Sequence, residues 1–392
     1  MQDSFIIAGK RTAIGDFGKS LKDIPPTKLG EIAIRAALAD AGIAPAEVQH
    51  VVMGNVIHTE PRDAYLSRVA AVEAGIPFET PALTVNRLCG SGLQAIVSAV
   101  QHIQLGDADI AIAGGAESMS RGGYLLPAAR WGARLGDVKV LDMVTGALHD
   151  PFGHGHMGIT AENIAARYDI SREMQDEFSV ESHCRAALAI AEGRFKSQIV
   201  AVDLPSKKGP IPFDTDEHVR DDISSDKLAA LKPAFKKDGS VTAGNASGLN
   251  DGGAAVVIVS GAELARRNAK PRARIVAYGH AGVDPEYMGL GPIPASQKAL
   301  QRAGLSIADI DVIESNEAFA AQACAVARDL GFPSDKVNPN GGAVALGHPI
   351  GASGAIIAIK AIYELERIKG RYALATMCIG GGQGIAVIFE RV

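Results

Sequence analysis

The chain is poor in aromatic residues: Phe, Trp and Tyr make up 5 % of it, with one tryptophan, Trp131. Cysteine is scarcer still, with four in 392 residues. Cys89, Cys184, Cys324 and Cys378 fall in no metal-binding or framework spacing, so neither a zinc site nor a disulfide scaffold is expected. Positive charge is not in excess. The net charge of −5 gives no reason to expect nucleic acid or an anionic membrane as a partner. No apolar run reaches the length of a membrane span. The first residues, Met1 to Ala8, pattern as a strand and not as a signal or transit peptide. With reduced thiols, these absences predict a cytoplasmic protein. What the chain has in quantity is glycine (44 residues) and an apolar fraction of 47 %. That mix suits two or three domains of helices packed closely on sheets.

A repeat organises the chain. Residues 36–43 (AALADAGI) are matched by residues 298–305 (KALQRAGL), 262 positions later. Similar segments follow each, Ala46-Glu47-Val48 and Ala308-Asp309-Ile310, then the apolar pairs Val51-Val52 and Val312-Ile313. The same offset carries Ser91-Gly92 onto Ser353-Gly354, each opening a long apolar helix. Matches in register at three places predict a duplicated α/β unit with mostly parallel, buried sheets. The first copy carries an insertion, from about residue 118 to 246, of mixed and loop-rich character. Functional residues are then expected at strand ends facing one shared cleft.

Chemistry concentrates where glycine surrounds nucleophiles. Cys89 lies in Asn86-Arg87-Leu88-Cys89-Gly90-Ser91-Gly92, between a short strand at 81–85 and a helix at 93–105. A thiol at a helix N-terminus is expected to have a lowered pKa. Set against a buried small apolar residue, the ordinary role of a free cysteine, this position favours a nucleophile. Cys378 ends a strand and runs into Gly380-Gly381-Gly382, whose N–H groups suit an anion hole. That glycine run is followed by a strand, so it is not a dinucleotide fingerprint. His348 sits in Gly347-His348-Pro349-Ile350-Gly351, on a glycine-rich loop feeding a helix. Asn316, just past the repeated strand, suits either orienting a water or carbonyl, or capping a helix. His149, His154 and His156 lack the carboxylate or cysteine of a metal site. Cys184 and Cys324 read as packing residues on helices. The charged stretch from Asp214 to Lys237 reads as a solvated face, with Arg220 available to a ligand phosphate.

Four of these blocks resemble the signature segments of the thiolases: residues 86–92, Asn316-Glu317-Ala318-Phe319-Ala320, Gly347 to Gly351, and Cys378-Ile379-Gly380-Gly381-Gly382. The stretches Gly244 to Gly252 and His156-Met157-Gly158 are similar to that family as well, and the likeness runs the length of the chain. Residues 58–63 and 370–373 further resemble bacterial broad-range β-ketothiolases that supply polyhydroxyalkanoate synthesis. The resemblance implies a layered αβαβα fold of two similar domains, 1–118 plus 247–270 and 271–392, with a loop domain at 119–246. It implies a reversible Claisen exchange between acetyl-CoA and a short acyl-CoA, with CoA-dependent cleavage of 3-ketoacyl-CoA. Cys89 would carry the acyl group, His348 would take its proton, and Cys378 would remove the α-proton of acetyl-CoA. One oxyanion hole would use His348 and a water held by Asn316; the other would use the N–H groups of Cys89 and Gly380. The CoA arm would lie against Leu148, His156, Met157, Phe235, Ala243, Gly244, Ser247, Met288, Ala318 and Phe319, with Arg220 near the nucleotide. No metal or resident cofactor is implied, since CoA thioesters are substrates, and a homotetramer is the usual assembly. Two rivals have weaker support. A decarboxylating ketoacyl-synthase-type enzyme would carry histidine, or histidine and asparagine, in place of Cys378. A non-catalytic acyl-CoA-binding protein would have lost Cys89, His348 or Cys378. Gly122, Gly123 and Met288 lie near the expected acyl pocket and predict tolerance of chains longer than four carbons.

Overall fold

A computed structural model describes residues 2–392. Its main sheet contains nine principal strands: β1 (Ser4–Thr12), β2 (His50–Gly54), β3 (Ala82–Val85), β4 (Ile110–Ser118), β5 (Asn250–Ser260), β6 (Ala273–Gly282), β7 (Val312–Ser315), β8 (Tyr372–Ile379) and β9 (Gln383–Glu390). Their spatial order is β7-β8-β9-β6-β1-β5-β4-β2-β3. In the first half β3, β2 and β4 run parallel, and β5 and β1 follow antiparallel. The second half repeats the plan: β7 and β8 parallel, then β9 and β6 antiparallel. The counterpart of β3 is reduced there to a single bridge, Ile313 to Val337. The two copies read from the sequence are therefore two copies in space. They are joined edge to edge where β1 meets β6 over Phe5–Arg274 and Ile6–Ala273.

Most neighbouring strands are antiparallel, so the mostly parallel sheets expected from the sequence are not what forms. The strands are nonetheless apolar on both faces, because helices cover both sides of the sheet. Along β5, Ala254, Val256 and Ile258 enter a central cluster, while Ala255, Val257 and Val259 enter an outer one. The outer cluster is closed by the helices Pro26–Ala41 and Leu66–Glu73. In the second half the helix Pro292–Ala303 does the same. Between the half-sheets lie two pseudo-equivalent helices, Ser91–Leu105 and Ile350–Ile368. Every residue from Ile350 to Leu365 is buried, the pattern of a helix enclosed on all sides. Their crossing explains the repeated Ser-Gly pair. A Cβ on Gly92 would lie 2.5 Å from Ala355 N, and one on Gly354 would lie 2.2 Å from Leu93 N. The crossing brings the two helix starts, and the turns before them, together.

The insertion leaves β4 and returns at β5. It holds the helices Met157–Arg167 and Arg172–Ala191 and several two- and three-residue strands. A buried ion pair ties it to the core: Arg11 of β1 donates to Asp216 at 2.7 and 2.9 Å, and to Gln198 at 2.9 Å. Both charged side chains are fully enclosed, so Asp216 is not part of a solvated face as its charged neighbourhood suggested. Removing one partner of such a pair costs about 3–5 kcal/mol. Cys184 also departs from expectation: it is exposed, not packed in a core. No helix among the described residues is long and apolar enough to cross a membrane.

Candidate active site

The turn that carries Cys89 is tight and strained. Leu88 has φ +45°, a left-handed conformation that costs a leucine roughly 1–2 kcal/mol. Short polar side chains hold it there. Asn86 Oδ1 accepts from Leu88 N–H at 3.0 Å; Ser91 Oγ accepts from Arg87 N–H at 2.9 Å and donates to Leu88 O at 2.6 Å. Gly90 lets the turn press on the end of β8, since a Cβ there would lie 2.5 Å from Ile379 Cδ1. That strand end carries Cys378, which is buried. Gly380 follows, and a Cβ on it would meet Met157 Cε at 2.7 Å and Leu88 Cδ1 at 3.1 Å.

The outcome is a pair of neighbouring thiols. The backbone N–H groups of Gly380 and of Cys89 itself favour the charged form of the Cys89 sulfur. Their pull is outweighed by burial, which pushes Cys89 up to about 11, with the carboxylate of Glu117 adding to the rise. The helix start does not lower this pKa as its position suggested, because the helix begins beyond Gly90 and desolvation is the larger effect. Cys378 is raised further, by burial and by the neighbouring Cys89. At neutral pH both are thiols.

His348 projects from the turn between the short helix Ala343–Leu346 and the long helix Ile350–Ile368. Its backbone N–H donates to Asn250 Oδ1 at 2.8 Å, and Asn250 in turn holds Gly15 O at 3.1 Å. Its ring is oriented by Ser353. The serine hydroxyl donates to Pro349 O at 2.9 Å, so its oxygen accepts from His348 Nδ1 at 2.6 Å. A serine has one proton to give, so Nδ1 carries the imidazole hydrogen and Nε2 keeps its lone pair. Burial lowers His348 to about 4, which leaves the ring neutral at pH 7. Asn316 Nδ2 lies 3.5 Å from Nε2, a long contact of matching sense. Asn316 caps no helix: the next one starts at Ala320 with Phe319 at its N-cap. Its own N–H donates to Thr376 O at 3.0 Å, which fixes it beside β8.

Glu117, at the end of β4, joins the two halves of the site. Its oxygens accept from Asn55 Nδ2, Val56 N–H and Ile57 N–H, each at 3.1 Å, and from Gly351 N–H at 2.9 Å. Burial pushes it up to about 8, and these N–H donors pull the other way. Sequence reasoning passed over Glu117, Ser353 and Asn250. Ser353 left a signal as the repeat partner of Ser91, and Asn250 lies in the family-like stretch Gly244 to Gly252; Glu117 left none.

Of the residues expected around a CoA arm, Met157, Met288, Ala318 and Phe319 form one apolar cluster with Cys378, and Phe235 packs on it. Phe235 stacks on His156 at 4.6 Å and stands edge-on to Phe319 at 6.1 Å. His156 Nδ1 is used to cap the helix Met157–Arg167, accepting from Gly158 N–H at 3.0 Å. Ser247 N–H donates to Ala318 O at 3.0 Å. Leu148 belongs to a second cluster, which packs on Cys89 and includes Ile57, Met119, Val144 and Ile350. Gly244 is buried, while Ala243 and Arg220 are exposed. Gly122 adds no room: a Cβ there would lie 2.1 Å from Val144 Cγ2, so valine already fills the space. Gly123 faces open space.

Known proteins share this fold. The family models for the thiolase N-terminal and C-terminal domains match residues 4–262 and 269–391. The β-ketothiolase BktB of Cupriavidus necator is 64 % identical over 388 residues, covering 99 % of this chain and 98 % of that protein. An acetyl-CoA acetyltransferase of Chromobacterium violaceum is 51 % identical over 388 residues, covering 98 % and 99 %. The crystal structure of human mitochondrial 3-ketoacyl-CoA thiolase superposes with a TM-score of 0.98 at 45 % identity, covering 100 % of this chain and 99 % of that one. With both halves of the duplicated fold matched end to end, the chain belongs to the thiolase family.

Proposed function

We propose that this protein is a β-ketothiolase that exchanges acyl groups between Cys89 and coenzyme A, making or cleaving short 3-ketoacyl-CoA. The observation that carries the reading is the pressing of the Cys89 turn, through Gly90 and Leu88, on the strand end that holds Cys378, Ile379 and Gly380. An acyl group on the Cys89 sulfur would then have the N–H groups of Cys89 and Gly380 available to its oxygen. Each such donor is typically worth roughly 2.7–4 kcal/mol in the transition state.

The resting protonation states set where the proton traffic begins. Cys89 is a thiol at rest and must lose its proton as it attacks the thioester carbon; the free Nε2 of His348 accepts it. The carbon–sulfur bond to CoA breaks, and Cys378 gives its proton to the leaving CoA thiolate. The site then holds acyl-Cys89, the imidazolium of His348 and the thiolate of Cys378. A thiolate raised by burial is a strong base, suited to the weakly acidic α-proton of a second acetyl-CoA. The resulting enolate attacks the acyl carbon. Its oxygen is stabilised by Nε2–H of His348 and a water held by Asn316. Collapse of the adduct expels Cys89, which recovers its proton from His348, and both cysteines end as thiols.

On this reading CoA thioesters are substrates and no other cofactor takes part. The CoA arm runs along His156, Met157, Phe235, Ser247, Met288 and Phe319, beside Ala243 and Gly244, with Arg220 at the nucleotide end. The chain divides into core domains 1–118 plus 247–270 and 271–392, with the loop domain 119–246 between them. Two surfaces support a homotetramer. The outer edge of β3 is unpaired and presents Leu83, and the segment 124–141 exposes Tyr124, Trp131 and Leu135 to 70, 81 and 98 %. The test of substrate class compares kcat/KM for cleavage of acetoacetyl-CoA and 3-ketovaleryl-CoA. A graded change is expected, and a loss beyond roughly 200-fold on adding one methylene would show a closed four-carbon pocket.

A further inference from the structure

A cavity of about 20 Å³ lies against Asn316, enough for one water. Its polar walls are Glu314, Ser315, Asn316, Ser353 and Lys360, and all five are buried. Three of their atoms, Glu314 Oε1, Ser315 Oγ and Asn316 Oδ1, have no hydrogen-bond partner among the described residues. The other Glu314 oxygen accepts from Lys360 Nζ at 2.8 Å, and Lys360 also donates to Gly341 O at 2.6 Å. An ammonium carries three protons, so one N–H of Lys360 remains.

Donor counting fixes what the cavity takes. Ser353 puts the imidazole hydrogen on Nδ1, so His348 Nε2 is an acceptor and the Asn316 atom facing it is the amide nitrogen. Asn316 Oδ1 therefore needs a donor elsewhere. Glu314 Oε1 is an acceptor too, so the two cannot satisfy one another. A water molecule has the two protons that both require, and its oxygen can accept from Lys360 or Ser315. Leaving such buried acceptors unpaired is costly.

We propose that this cavity binds one water molecule, which donates to Glu314 Oε1 and Asn316 Oδ1 and makes the Glu314–Lys360 pair a positioning device for the Asn316 amide. The amide is held with Nδ2 toward His348, the sense needed if Asn316 is to hold an oxyanion water. Only that last role rests on the function proposed above; the cavity water does not.

The first test is a crystal structure of the unliganded wild-type protein at pH 8, above the value of about 7 to which burial pushes Glu314, at a resolution that separates single waters. An ordered water within roughly 2.7–3.2 Å of both acceptors is expected. No density there, or density in reach of only one of them, would overturn the proposal. The second test replaces the pair by Glu314→Met with Lys360→Met, since apolar substitution of a buried ion pair is often tolerated. It should lower kcat roughly two- to tenfold, the worth of one hydrogen bond, with KM for CoA unchanged. In an Asn316→Ala background the same double substitution should cost nothing further. Equal losses in both backgrounds would show that the pair does not act through Asn316. Full activity of Asn316→Ala alone would overturn the role given to that residue, and the crystal structure would still decide the water site.

Discussion

Replacing Ser353 by alanine should slow the enzyme without unfolding it. The hydroxyl is the acceptor for His348 Nδ1 at 2.6 Å, and both residues are buried. Without it the Nδ1 hydrogen has no partner, and the tautomer carrying hydrogen on Nε2 becomes competitive. A buried donor left unsatisfied costs about 1–3 kcal/mol, which converts to roughly 5- to 150-fold. That is the expected fall in kcat, because the Nε2–H tautomer cannot accept the Cys89 proton. Stability should fall by no more than that same cost of about 1–3 kcal/mol, offset by a few tenths because Ser353 lies inside the helix Ile350–Ile368, where alanine is the better helix former. The assay is CoA-dependent cleavage of acetoacetyl-CoA, run beside urea unfolding and nitrogen-15 NMR of labelled histidine. The spectra should show His348 protonated at Nδ1 in the wild type and a tautomer mixture in Ser353→Ala. Activity within twofold of wild type, or a wild-type ring protonated at Nε2, would refute the reasoning.

Other outcomes follow from the same geometry. Cys378→Ala should still accept an acetyl group from acetyl-CoA, more slowly, but should lose condensation and the exchange of α-protons into deuterated water; wild-type condensation would assign the base elsewhere. Burial raises the Cys89 thiol to about 11, so in the resting enzyme its thiolate fraction grows as pH rises through the whole working range. Alkylation by iodoacetamide should therefore still be accelerating at about pH 9, where an ordinary low-pKa catalytic thiol has levelled off. Glu117→Gln should destabilise the fold by roughly 1–3 kcal/mol in urea, because an amide NH₂ must then face N–H donors. The same substitution should lower kcat, since Gly351 in the His348 turn loses its anchor; unchanged values of both would remove Glu117 from the account.

Local pattern revealed the parts of the site that are built from local pattern. The glycines around Cys89, Cys378 and His348 mark tight turns at strand or helix ends, and those turns are visible within a few residues of sequence. The repeat revealed the duplicated sheet because the buried faces of both copies must keep the same apolar register. It even retained Ser91 and Ser353 at equivalent helix starts, but not their divergence. Ser91 braces the strained Leu88, whereas Ser353 orients His348. The rest depends on contacts across the fold. Glu117 meets Gly351 from 234 positions away, and Asp216 meets Arg11 from 205. Nothing in the charged run around Asp216 distinguishes the carboxylate that the core encloses. The Cys89 pKa was misjudged for the same reason. A helix start can be read from sequence, but the apolar residues that desolvate the thiol arrive from the segments just past β2 (Val56, Ile57) and β4 (Met119), from the insertion (Val144, Leu148) and from Ile350 at the start of the helix Ile350–Ile368.

The most direct test of the account is to ask which sulfur holds the acyl group. Wild-type protein and Cys378→Ala are incubated with acetyl-CoA, quenched in acid and digested, and the peptides are weighed. One acetyl group on the peptide containing Cys89, in both proteins, is the predicted result. Acetyl on Cys378, or full turnover with Cys89 never modified, would contradict it.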